Sequence, residues 1–158
     1  MSTPAPMRIP TLLLALLTLT ACDTAAEDAV RLGGRYDGAA TATFADGAGT
    51  VAISFDVDLD LEAPDGSGVS EGEGTIARGA VENAPAQALR GEATATTSGT
   101  RVTLSIAATQ TARAARGGGL FLDGTGTLNE SGDLVLTDAT IRDFAYGTSS
   151  TFTITLRR

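Results

Sequence analysis

The residues able to do chemistry in this chain are carboxylates, arginines and one thiol. Asp56, Asp58, Asp60, Glu62 and Asp65 stand close together, and clustered carboxylates are what Ca2+ seeks, with about six to eight oxygens around the ion. Strand geometry argues against a shared ion. Alternate residues on one strand face lie ~6.6 Å apart, whereas ligands sit within ~2.5 Å of the metal, so two neighbours at most share one. Leu61 also occupies the place where a calcium loop puts glycine. The expected role of these carboxylates is a solvated acidic face, which discourages pairing with other chains. Paired carboxylates also form the acid/base couple of glycosidases, but an acidic chain holds many such pairs and spacing singles out none. Arg113 and Arg116 precede Gly117, Gly118 and Gly119, a run whose N–H groups suit an anion nest. No Lys-Ser or Lys-Thr follows it, so the segment reads as a connection between strands. The chain contains no His, Trp or Lys, and no Ser-His, Cys-His or metal-ligand spacing can be drawn. No catalytic, metal or cofactor-binding residue is therefore assigned, no cofactor is expected, and the chain reads as a non-enzyme.

The 158 residues have room for one domain. Hydrophobic residues at 42% suit a chain that folds rather than a disordered one. Eleven basic residues, all Arg, against nineteen acidic ones give a formal charge of −8, which excludes nucleic acid as a partner. The single cysteine, Cys22, leaves no internal disulfide to staple the fold.

Residues Met1 to Pro10 carry one side-chain cation, Arg8, and Thr11 to Ala21 then read TLLLALLTLTA. A helix of this run reaches about 16 Å, short of the ~30 Å hydrocarbon core, so it reads as an export segment rather than a membrane span. Leu19-Thr20-Ala21-Cys22 closes the run and resembles the lipobox of bacterial lipoproteins. The resemblance covers the export segment alone. It implies that residues 1–21 are a signal peptide, that Cys22 is the lipid-attachment residue, and that its thiol carries diacylglycerol and its new amine an acyl chain such as palmitate. Two or three chains hold a protein at a bilayer firmly, at ~0.8 kcal/mol per buried CH2. Asp23 resembles the inner-membrane retention signal of some lipoproteins, a rule that differs between bacterial groups, so the inner and outer membranes both stand open. Residues 22–30 carry the lipidated cysteine and an acidic tether, DTAAEDAV from Asp23.

Residues 31–158 must supply the folded body. Val51, Ile53, Phe55, Val57, Leu59 and Leu61 share one parity while Thr50, Ala52, Ser54, Asp56, Asp58, Asp60 and Glu62 share the other. Strict period two predicts a strand with one buried and one wet face, as antiparallel sheets allow. The same alternation recurs in Leu89, Gly91, Ala93 and Ala95, in Val102, Leu104, Ile106 and Ala108, and in Leu120 to Leu128. Ser98-Gly99 and Asn129 to Gly132 join hairpins. Leu134-Val135-Leu136 follows, Phe152, Ile154 and Leu156 close the chain, Tyr36 to Phe44 opens it, and a weaker strand spans Gly72 to Arg78. Asn83 to Ala88, with Pro85, is the place for a loop excursion or a helical turn.

The expected fold is all-β, with about eight antiparallel strands in an up-and-down meander barrel or a two-sheet sandwich. Strand number and length resemble the small ligand-binding barrels of the lipocalin and avidin kind. A membrane-spanning barrel needs a continuous apolar band and aromatic girdles, which Ala93, Ala95, Gly124, Gly126 and the five Phe and two Tyr do not supply. The functional expectation is an exported, lipid-anchored protein of the bacterial cell envelope, with a non-catalytic binding or structural domain that carries a small apolar ligand in a lumen. The alternatives are a surface module that contacts envelope proteins and a carboxylate-based hydrolase.

Overall fold

The computed structural model describes residues 32–47, 49–82, 84–109 and 118–158. The export segment, Cys22 and the tether lie outside the described residues, as do Arg113, Arg116 and Gly117.

The chain is all-β: β1 (Gly34–Asp46), β2 (Gly49–Leu61), β3 (Val69–Arg78), β4 (Gln87–Ser98), β5 (Arg101–Thr109), β6 (Gly119–Leu128), β7 (Leu134–Asp143), β8 (Gly147–Thr148) and β9 (Phe152–Leu156). Each of the first seven pairs antiparallel with the next, and β9 pairs with β7. The result is an up-and-down meander curled into a nearly closed barrel. Its seam lies between β1 and the last segment. Asp37 and Arg157 exchange backbone hydrogen bonds of 2.8 and 2.7 Å there, and Ser150 N donates to Thr43 O at 2.8 Å. Gly38 permits this approach, because a Cβ at that position would run into the carbonyl of Thr155.

The alternation of β2 is realised residue by residue: Ile53, Phe55, Val57, Leu59 and Leu61 are buried and the intervening residues are exposed. A one-residue slip would bury Asp56, Asp58 and Asp60, so the register of the β1–β2 hairpin is tightly specified. The corresponding residues of β4 to β7 complete a single core that includes Leu104, Ile106, Leu122, Leu136 and Ile141. Gly74 and Gly124, small residues inside, are packed over by larger side chains. A Cβ on Gly74 would lie 2.6 Å from Ile106 Cγ2, and one on Gly124 would lie 3.0 Å from Leu136 Cδ1.

The two ends of the barrel are closed differently. Where the described chain enters, Leu32 is fully buried and its carbonyl accepts from Tyr36 Oη at 2.8 Å, while Arg158 Nη2 donates to Gly33 O at 2.7 Å. The far end is capped by an aromatic layer in which Phe44 packs against Phe55 and Tyr146, with centroids 6.0 Å apart in each case. The connection after β3 contains no helical turn among its described residues: Val81 and Ala84 exchange backbone hydrogen bonds, and Gln87 and Ala88 already pair with Arg78 and Ala77.

Candidate functional site

Two of the inward-facing positions end in charge. Arg78 is the last residue of β3, following Gly74 and Ile76 on the inner face, and Asp143 is the last of β7, following Ala139 and Ile141. Both strands finish at the far end of the barrel, so the two side chains meet there although 65 residues separate them in sequence. Arg78 Nη1 donates to Asp143 Oδ2 at 2.8 Å, with the side chains 5% and 3% exposed. Pro85 O accepts from Arg78 Nη2 at 2.9 Å, which ties the β3–β4 connection to the rim. The guanidinium also lies over the Tyr146 ring, 5.6 Å from its centroid. Its Nε–H is buried and has no hydrogen-bond partner among the described residues.

Asp143 builds the turn that follows it. Its Oδ1 accepts from Ala145 N at 2.7 Å and its carbonyl accepts from Tyr146 N at 3.2 Å. Gly147, at φ +82°, then turns the chain back so that Gly147 and Thr148 pair with Asp143 and Arg142. This turn pushes Phe144 outward, where it is 67% exposed. Phe144 packs on Phe121 at 6.0 Å between centroids, and Arg142 covers the Phe121 ring at 4.6 Å. Beside these groups a groove of about 390 Å3 is lined by Arg78, Gln87, Gly118, Gly119, Asp143, Phe144 and Ala145.

The acidic face expected from sequence lies on the outside of β1 to β4. Asp56, Asp58, Asp60 and Glu62 are exposed. The register sets Asp37 opposite Asp58 and Asp60 opposite Glu73, and like charges facing each other are unfavourable. Arg35 bonds Asp60 at 3.0 Å and Arg90 bonds Glu73 across this face; exposed pairs of this kind contribute at most ~1 kcal/mol. Two grooves run over it, of about 680 Å3 along the β1–β9 seam and about 310 Å3 around Arg35 and Arg90. Among the described residues no three carboxylates converge to hold a metal ion.

Asp65 is separate from that face. Its carboxylate accepts from Ser67 Oγ at 2.6 Å, Ser67 N at 2.9 Å and Val69 N at 3.0 Å, fixing the β2–β3 turn. The Ser67 hydroxyl first, and the backbone N–H groups after it, hold its pKa below the usual carboxylate range. Of the glycine run, Gly118 and Gly119 are described and border the rim groove.

Sequence reasoning did not find Arg78 and Asp143. The available signal was a charge of opposite sign at the last inward position of each of two strands that end on the same rim. No protein-family model, curated protein or solved structure matches this chain.

Proposed function

We propose that this protein is an exported, lipid-anchored domain of the bacterial cell envelope that binds through its surface and catalyses no reaction. The filled interior is the observation that carries the surface role. Ile106 and Leu136 occupy the space above Gly74 and Gly124, where a lumen of ~300 Å3 or more for a carried apolar ligand would have to open.

The anchoring part rests on Leu19-Thr20-Ala21-Cys22 and the apolar run before it. Cys22 precedes Leu32 by ten residues, a stretch that spans at most about 35 Å when extended. Leu32 enters at the end closed by Tyr36 and Arg158. A tether joined there attaches at the end of the barrel opposite the Arg78–Asp143 rim.

The test is fractionation. Wild-type protein is expected in the membrane pellet and Cys22→Ser in the soluble fraction. A Cys22→Ser variant that still sediments with lipid overturns the anchor.

A further inference from the structure

The rim groove holds an imbalance that its own residues do not resolve. Arg78 is almost fully buried, yet its Nε–H has no acceptor among the described residues, and native interiors leave few donors in that state. Asp143 uses one lone pair on each oxygen, towards Arg78 and Ala145 N, and a carboxylate oxygen accepts more than one hydrogen bond. Gln87 brings an amide, donor and acceptor together, to the same groove, and Phe144 brings an exposed aromatic face.

These groups select a chemistry. The charges of Arg78 and Asp143 cancel, so an ion of either sign gains little from the pair. A hydroxyl suits both members at once, accepting from the guanidinium and donating to the carboxylate. A pyranose ring adds further hydroxyls for Gln87 and an apolar C–H face for Phe144. A peptide bound by strand addition would need a free strand edge, whereas strand ends and turns bound this groove. Its volume of about 390 Å3 falls in the usual range of small-molecule sites, ~300–1,000 Å3.

We propose that the rim groove formed by Arg78, Gln87, Asp143 and Phe144 binds a neutral saccharide of one or two rings. The assignment rests on the reading of the protein as a surface-binding domain and names its site and ligand class. The Nε–H is covered, so a hydroxyl reaches it through a rearrangement of the rim, whereas Gln87 and Phe144 line the groove directly.

The test uses the full chain, labelled with 15N and held in detergent micelles, titrated separately with cellobiose, N,N′-diacetylchitobiose and N-acetylphenylalaninamide. The reporters are the Arg78 Nε–H signal and the amides of Gly118, Gly119 and Ala145. At least one disaccharide is expected to move them along a saturating curve in the millimolar range. Phe144→Ala is expected to weaken that binding roughly three- to tenfold while the remaining amide signals keep their positions. The saccharide assignment is overturned if neither disaccharide moves the reporters, if Phe144→Ala binds as tightly as wild type, or if only the phenylalanine amide acts. Fractionation of Cys22→Ser reads the anchor independently, so a failure of one does not pass for a failure of the other.

Discussion

Replacing Asp143 by Asn removes one charge from the rim and turns the acceptor that faces Arg78 Nη1 into an NH2 donor. The amide oxygen retains the shape needed to accept from Ala145 N, so the turn to Gly147 is preserved, but the Arg78 guanidinium is left without its counter-charge at 5% exposure. Breaking a buried ion pair on one side costs about 3–5 kcal/mol, because the remaining charge is neither solvated nor paired. Small domains are stable by about 5–15 kcal/mol, so Asp143→Asn is expected to fold and to melt early. For a domain of this size each kcal/mol lowers Tm by roughly 3–5 °C, which gives a fall of about 10–25 °C. Arg78→Met combined with Asp143→Asn leaves neither an uncompensated charge nor two donors facing each other and is expected to recover much of the loss, since the large cost of a broken buried pair comes from the charge left behind. Urea unfolding followed by far-UV circular dichroism on wild type, both single variants and the double variant closes the cycle. A loss below about 1 kcal/mol for Asp143→Asn would mean that water solvates the rim. A double variant as unstable as the sum of the singles would mean that the two side chains do not act on each other, and the account of the site would fall.

Two further outcomes follow from buried oxygens. Ser70 is fully buried and its hydroxyl has no partner among the described residues, so Ser70→Ala is expected to raise stability by about 1 kcal/mol in the same urea assay; destabilisation by that amount would show that the hydroxyl is satisfied. Burial, with Asp133 adding to it and Arg158 opposing it, raises the pKa of Tyr36. The folded state therefore favours the neutral phenol: its contribution is complete below the unfolded pKa of about 10 and is lost as pH rises through the higher folded value. The urea midpoint is expected to fall above about pH 10 in wild type and to fall less in Tyr36→Phe, and identical alkaline profiles would refute the assignment.

The parts of this fold that were legible from sequence are those fixed by local period. The alternation from Val51 to Leu61 needs no knowledge of its partners, and the structure keeps its parity at every position. Boundaries depend on the neighbour instead. The third strand starts at Val69, ahead of the expected Gly72, because Thr96 and Ala95 stand opposite Val69 and Ser70. Gln87 and Ala88 belong to a strand despite Pro85 because Arg78 and Ala77 stand opposite them. The two-residue strand Gly147–Thr148 carries no period at all and exists because a glycine at positive φ turns the chain back onto Asp143.

The rim site was hidden by the same parity argument that revealed the strands. Leu134 and Leu136 put the even positions of β7 inside, and unbroken alternation would send Thr140 and Arg142 inward and Asp143 out to solvent. The register instead shifts beside Gly126, which pairs with Leu136 while Thr125 pairs with Asp138, so that Thr137 is the extra residue of a bulge. A Cβ on Gly126 would collide with the carbonyl of Val135, so only glycine allows the two strands to close up there. Beyond the bulge the odd positions Ala139, Ile141 and Asp143 point inward. One inserted residue and one glycine thus decide that Asp143 faces Arg78 rather than water. The charged rim, the turn built on Asp143 and the outward placement of Phe144 all depend on that shift.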